Sequence, residues 1–336
     1  MGKVRLVDIA ARVGVSSVTV HNALSGQKGV SDGLREKIVK TAKEMGYRQD
    51  VPAKNAHGGK EKFWKIGVII AENYLAQYFT YYWKMYQELS LIATEKHCYT
   101  TIEVLKKDAE KKSRELPQIV KNKSIDGLLI IGEIEKEYIR HLKKDLSVPL
   151  VFLDFYDSEI AKDAVIADNF YGMYQMTELL FAQGLREIGF IGSVFATSSI
   201  MDRYCGFMKS VMEHRVEVPP EWIVEDRDAL GQVGFELPCR LPQAFVCNCD
   251  LVVGMLISRL QEQGYRVPED ISVTGFDNFL QPGFADMKIT TYEISTKTMA
   301  KVALDKVLKQ LRNPERGRNL EIISGHIIWK NSVKIR

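Results

Sequence analysis

The chain has no run of about 18 apolar residues, the length a helix needs to cross a bilayer, although 46% of its 336 residues are hydrophobic. Its opening stretch, MGKVRLVDIAA, also lacks the apolar segment of a secretory signal. The protein is therefore expected to stay in the cytoplasm and off membranes. Cysteine is sparse and poorly placed for crosslinks. Of five residues, Cys98, Cys205 and Cys239 are scattered, and only Cys247 and Cys249 lie close together. Neither a disulfide framework nor a CxxC metal site fits, and reduced thiols are expected. Because Cys247 and Cys249 alternate at what reads as a strand end, one sulfur should face a core and the other a cleft. The six histidines show no ligand spacing, and GxxxxGK[ST], GxGxxG and HExxH are missing. An enzyme is not expected, and no catalytic residue, metal or cofactor is assigned. Glu133 and Glu135 read as ordinary charges at a helix start.

What is present starts at the N-terminus. In RLVDIAARVGVSSVTVHNALSG, Arg5 to Gly26, apolar Ile9, Ala10 and Val13 fall at helical spacing, and Gly14 permits a sharp turn. Ser16 then suits the cap of a second helix reaching Leu24. Val15, Val20, Ala23 and Leu24 point toward a core, leaving Ser17, Val18, His21 and Asn22 on a small, polar outer face. A helix that enters the major groove needs such donors, acceptors and methyls at its leading end; a plain helical hairpin with no nucleic-acid role is the alternative. A third helix is predicted from about Asp32 to Met45, capped by Ser31, with Leu34, Ile38, Val39, Ala42 and Met45 inward. Residues 1–62 hold 12 Lys and Arg against 6 Asp and Glu, a net of +6 in a chain of net +3, so the remainder carries −3. Charge concentrated in this way suits phosphate neutralisation, although charge runs also mark plain solvated surface.

Between Tyr47 and Phe63 the apolar period is lost and Pro52, Gly58 and Gly59 appear, as in a linker. From Lys65 onward, runs rich in Val, Ile and Leu alternate with helical segments: KIGVIIA, TTIEVL, IDGLLII, VPLVFLD, AVIAD, EIGFIG, QAFVC and DISVTGF. Near-continuous apolar strands in βαβ order indicate parallel sheets covered by helices on both faces. The series restarts after about Asp163, which favours two doubly wound lobes over one, and STKTMAKVALDKVLKQL and the strand LEIISGHIIW follow. Two such lobes enclose a cleft at the carboxyl ends of their strands. The aromatic segment ENYLAQYFTYYWKMY supplies Tyr74, Tyr78, Phe79, Tyr82 and Trp83, of which one or two are expected to meet a ligand and the rest a core or interface. A helix is predicted there from about Tyr78 to Glu95.

Three helices with a tight first turn, VDIAARVGVSSVTV and the closing GY together resemble the DNA-binding headpiece of the lactose repressor/galactose repressor (LacI/GalR) family. The likeness extends along the chain: VIADNFYGMYQMTELLFAQGLREIGFIGS, MDRYCGF and VPEDISVTGFDNF are similar to the family's body, whose fold is that of periplasmic sugar-binding proteins. It implies a helix-turn-helix headpiece at 1–48, a hinge at 49–63 and an effector-binding, dimerising body at 64–336. The first lobe would take about 64–163 and 292–320, and the second about 164–291 and 321–336. The implied partners are a pseudo-palindromic operator, read by Ser16, Ser17, Val18, Thr19, His21 and Asn22, a small carbohydrate effector, and a second copy of the chain. The implied function is a repressor of carbohydrate-utilisation genes, with a stand-alone sugar sensor as the alternative. Effector contacts fall on Arg203 and Asp277, with Asp154, Tyr74 and Tyr78 added from their placement. A surface ion pair and a helix cap are the other readings of the first two. Asp250 matches the family's Asp in CNCD, whereas Cys249 replaces the Asn that precedes it. The hinge would form a short helix over about Pro52 to His57, with Ala56 where the family carries an intercalating Leu and Lys54 and His57 on phosphates. On this reading, truncating Arg203 or Asp277 abolishes the effector response and leaves the fold intact.

Overall fold

The computed structural model describes residues 4, 6–24, 30–45, 47, 63–75, 80–110, 114–157, 159–160, 163–228, 231–315 and 319–335. It forms two units, Met1–Lys62 and Phe63–Arg336.

In the first unit, helices α1 (Leu6–Val13), α2 (Ser17–Leu24) and α3 (Asp32–Glu44) enclose a core of Ile9, Ala10, Val20, Ala23, Ile38 and Ala42. Gly14 ends α1 with φ of 81°, and its amide and that of Val15 both donate to the Ala10 carbonyl, at 2.9 and 3.1 Å. Ser16 Oγ accepts the Thr19 amide at 3.0 Å and so caps α2. Arg35 closes the other end of α2 by donating from Nη1 to the Asn22 and Ala23 carbonyls at 3.3 and 2.9 Å. Ser31 precedes α3 without a capping side-chain bond. Val39 is 47% exposed rather than inward, because Ile38 occupies the buried stripe and the next residue is turned about 100° away from it. Nothing lies within 4 Å of a Cβ added to Gly14, so the glycine serves the backbone alone. Gly14→Ala is expected to destabilise this unit by about 1–2 kcal/mol, the cost of a left-handed L-residue, read as a lower first transition in calorimetry of the full chain.

The second unit holds two six-stranded sheets. Sheet one takes β1 (Trp64–Ala71), β2 (Cys98–Leu105), β3 (Gly127–Ile131), β4 (Leu150–Leu153), β5 (Ala164–Ala167) and β11 (Leu320–Ile323), in the order β11-β5-β4-β3-β1-β2. Sheet two takes β6 (Ile188–Ile191), β7 (Ile223–Val224), β8 (Ala244–Cys247), β9 (Ser272–Phe276), β10 (Thr290–Glu293) and β12 (His326–Ile328), in the order β12-β10-β9-β8-β6-β7. Every pairing is parallel except β10 with β12. The connecting helices are α4 (Tyr81–Glu95), α5 (Gln118–Lys121) and α6 (Lys136–Asp145) in the first lobe, and α7 (Asn169–Ala182), α8 (Ser198–Glu213) and α9 (Asp250–Glu262) in the second. α10 (Thr296–Arg312) returns to pack on α4 and sheet one.

Three boundaries differ from the sequence reading. AVIAD belongs to the first lobe, not the second: β5 pairs with both β4 and β11, with Ala164 opposite Phe152 and Leu320. The second series therefore begins one element later, at Asp168, whose Oδ1 accepts the Tyr171 amide at 3.3 Å and caps α7. LEIISGHIIW is not one strand but two, β11 in the first sheet and β12 in the second. The break falls at Gly325, where a Cβ would lie 2.1 Å from the Glu293 carbonyl oxygen and the amide donates to Tyr292 Oη at 3.1 Å. The predicted helix from Tyr78 starts at Tyr81, because Thr80 Oγ1 accepts the Trp83 amide at 3.2 Å and fixes the cap there.

Candidate functional site

A cavity of about 910 Å³ lies between the lobes of the second unit, lined by residues just beyond the carboxyl ends of β1, β3 and β4 on one side and β6, β8 and β9 on the other. Parallel sheets aim side chains and backbone dipoles at such a crevice.

Arg203, on α8, is 5% exposed. Its Nε donates to Asn169 Oδ1 at 2.8 Å, Nη1 to the Asn248 carbonyl at 2.6 Å and Nη2 to Asp277 Oδ1 at 3.2 Å. The guanidinium plane lies 3.9 Å over the Phe276 ring. Arg203 is thus a buried anchor and not a surface pair, and Asp277 is its partner and not a helix cap. Desolvation raises the Asp277 carboxyl above the ordinary range, against the pull of Arg203. From the other lobe, Asp154 Oδ2 accepts the Tyr82 hydroxyl at 3.0 Å, whereas its Oδ1 is buried with no hydrogen-bond partner. Burial pushes this carboxyl up to about 7, with Asp277 adding to the rise and Arg203 opposing it. Both aspartates sit on left-handed backbone, Asp154 at φ 69° and Asp277 at φ 95°. Such backbone costs of order 1 kcal/mol or more and gathers at functional sites.

Tyr74 lines the cavity with its ring 4.5 Å from that of Tyr82 and its hydroxyl on the Glu133 carbonyl at 2.7 Å. Tyr81 and Phe279, from opposite lobes, meet edge to face at 6.0 Å across it. Trp83 packs on Tyr86 instead, and Tyr78 and Phe79 lie outside the described residues. Cys249 also lines the cavity, its thiol pushed up to about 12 by burial, while Cys247 is fully buried in the second lobe's core. Asp250 does not line it, contrary to its assignment as an effector contact. It is 1% exposed, with Oδ1 accepting the Thr291 hydroxyl at 2.8 Å and Oδ2 the Phe279 amide at 3.0 Å, and it fixes the loop that carries Asp277.

Two residues matter that the sequence reading passed over. Asn169, in the quoted ADNFYG, orients Arg203 through its side-chain oxygen. Glu133 is no helix-start charge, since α6 begins at Lys136. Its Oε2 accepts the Ser198 amide at 2.7 Å, joining the first lobe to the start of α8 in the second. No local spacing marks it, because its partner is a backbone amide 65 residues away.

In the first unit, the outer face of α2 shows Val18, 66% exposed, and His21, also exposed, with Ser17 and Asn22 half-buried. Ser16 and Thr19 share a hydroxyl hydrogen bond of 2.8 Å at the leading end. The expected hinge helix, with Lys54, Ala56 and His57, lies outside the described residues. A Gly-x-Ser-x-Gly run, a pattern of hydrolase nucleophile elbows, spans Gly29 to Gly33, but Ser31 precedes helix α3 with no strand before it among the described residues, so the strand-turn-helix setting of such an elbow is missing. Among the described residues no helix is long and apolar enough to cross a membrane.

Residues 5–50 match the family model described as bacterial regulatory proteins, lacI family, and residues 177–333 match that of a periplasmic binding protein-like domain. An HTH-type transcriptional repressor PurR from Glaesserella parasuis is 28% identical over 316 residues, which cover 91% of this chain and 89% of that protein. A ribose operon repressor from Haemophilus influenzae is 24% identical over 335 residues, 97% of each. Among solved structures, a transcriptional regulator CelR–cellobiose complex superposes with a TM-score of 0.66 at 18% identity, covering 98% of this chain and all of the other. A lac repressor dimer bound to operator and the anti-inducer ONPF gives 0.64 at 19% identity, covering 98% and 99%. At these identities the superpositions establish the shared fold.

Proposed function

We propose that the chain is a member of the lacI family of bacterial regulatory proteins, a cytoplasmic, homodimeric transcriptional repressor whose operator affinity is set by a small carbohydrate bound between the lobes of its body. The observation that carries this reading is the meeting of Arg203, Asp277 and Asp154 in one cavity, with an orphaned carboxylate oxygen and tyrosine rings beside it. Carboxylates and a guanidinium grip vicinal hydroxyls by charge-assisted hydrogen bonds, and aromatic faces suit the apolar side of a sugar ring. The relatives' names point to different effectors, one naming ribose operon control and one solved neighbour holding cellobiose. The sugar is assigned here by class only.

The first unit supplies the DNA contacts. A pseudo-palindromic operator mirrors the twofold axis of a dimer, each half-site taking one α2 in its major groove. Val18 and His21 present a methyl surface and a donor or acceptor to base edges, and Ser16 and Ser17 stand at the leading end of the helix. Asn22 is suited to adenine, whereas arginine at that place favours guanine. Asn22→Arg is expected to shift preference at one base pair by about 1–3 kcal/mol, read by selecting operators from random duplexes with both proteins. Recovery of one consensus from both proteins would remove the assignment of α2 as the reading helix. The same selection tests the function as a whole: a stand-alone sugar sensor enriches no duplex, whereas a repressor enriches one whose retention changes when its effector is added.

A further inference from the structure

Positive charge in the cleft is already committed, while one buried carboxylate oxygen, Asp154 Oδ1, has no partner. Arg203 is held by Asp277, Asn169 and the Asn248 carbonyl. Arg227 is bidentate on Asp226, with Nε and Nη2 donating at 3.0 and 2.7 Å. Lys136 pairs with Asp157 at 3.3 Å. Three of the four basic side chains among the described lining residues are therefore bound to aspartates, and nine of those lining residues are Asp or Glu. Asp154 is 4% exposed, faces the cavity, and leaves Oδ1 without a donor.

Resting on the reading of this cleft as a carbohydrate site, we propose that its occupant is an uncharged or amino-bearing saccharide that donates a hydrogen bond to Asp154 Oδ1, and that sugar phosphates and uronates are excluded. A hydroxyl supplies the donor this oxygen lacks, and a buried acceptor left unsatisfied in the free protein makes that bond count in full. An ammonium supplies the donor and also neutralises the carboxylate. A phosphate or second carboxylate meets Asp154, Asp277 and Glu133 with no uncommitted guanidinium beside them, and like charges in a site of low dielectric repel strongly. Freeing Arg203 to receive such a group strands Asp277 and Asn169, so the anion gains no net partner. The acidic lining also lowers the local concentration of anions before they bind.

The test is calorimetric titration of the full chain at pH 8 with matched probes: ribose against ribose 5-phosphate, then glucose, glucosamine, glucose 6-phosphate and glucuronate, then cellobiose, and adenine as an uncharged non-saccharide. At least one uncharged or amino saccharide is expected to bind, with its phosphate or uronate about a hundredfold weaker, and Asp154→Asn is expected to weaken the responsive probe about tenfold or more. Asp154→Ser serves the same comparison if the amide variant does not fold. A phosphate ester that binds as tightly as its parent overturns the charge selection and leaves the carbohydrate reading standing. Binding of adenine in place of every saccharide overturns both. Silence from all uncharged and amino probes also overturns the proposal, as does full affinity in both Asp154 variants.

Discussion

Replacing Arg203 with alanine is expected to silence the effector response and to lower the stability of the body by about 3–5 kcal/mol, the cost of breaking a buried ion pair from one side. The family likeness alone leads one to expect an intact fold; the buried bonds of Arg203 lead to an expected loss of stability. Truncation leaves Asp277 without its cation, Asn169 Oδ1 and the Asn248 carbonyl without a donor, and the Phe276 ring without the plane stacked on it. Arg203→Lys keeps the charge but not the fork, and one ammonium on a flexible stem does not reproduce three bonds in different directions. It should recover part of the stability and little of the effector response. Urea unfolding of the full chain, followed in parallel with effector-induced release of operator, separates the two effects. An unchanged midpoint in the alanine variant would show that this cluster contributes nothing to holding the body together.

Asp154→Asn should act with the opposite sign on stability while also weakening effector binding. The folded chain holds the Asp154 carboxyl near 7, far above the ordinary carboxylate range, chiefly through burial. The native state therefore binds a proton more tightly than the unfolded chain, and stability falls as pH rises between the two values. The penalty is complete above about pH 7 and absent below about pH 4. Removing the charge should stabilise the protein by up to about 4 kcal/mol at pH 8 and by little at pH 4, read from melting temperatures across that range. Effector binding carries the reverse dependence. The groups facing this carboxyl are the Tyr82 hydroxyl, which donates to it, Arg203, which favours its charge, and Asp277 and Glu133, which oppose it. A ligand that donates to the ionised form should lose about tenfold in affinity per pH unit below 7 and release a proton on binding. A flat pH profile in the wild type would remove Asp154 from the contacts.

The architecture was legible because parallel strands buried on both faces write themselves as unbroken apolar runs; β3, β4, β6, β8 and β9 all lie inside quoted segments, and β1 exceeds its own by Trp64 alone. β7 and β10 were missed for lack of that signature. β7 spans only Ile223–Val224, and β10 reads Thr-Thr-Tyr-Glu, whose buried threonines bond to Asp250 and the Lys330 carbonyl instead of forming a greasy run. The lobe assignment of β5 was beyond periodicity, since a strand's pattern says that it is buried and not which sheet buries it. The same holds at the site. Arg203 and Asp277 stand in segments similar to a family pattern, and the structure pairs them, whereas Asp250 also matches that pattern, beside the departure at Cys249, and turns away to hold a loop. Motif likeness locates a residue along the chain; the hydrogen bonds of its neighbours decide which way it faces.

The crossings at Asp168, before α10 and at Gly325 have a consequence for how the protein is made. The first sheet lacks its edge strand β11 and the helix α10 that covers it until residues 296–323 have been synthesised, and the second lacks β12 until residues 326–328 follow. A ribosome therefore extrudes nearly the whole body before either lobe has its full set of strands, and the two lobes finish together rather than in turn. Translation that stops shortly after β9 yields no half-sized version of the body. It yields two open sheets with unpaired edges, a species that quality-control proteases and chaperones recognise, so premature termination costs the cell a degraded fragment and not a headpiece joined to a stable partial body.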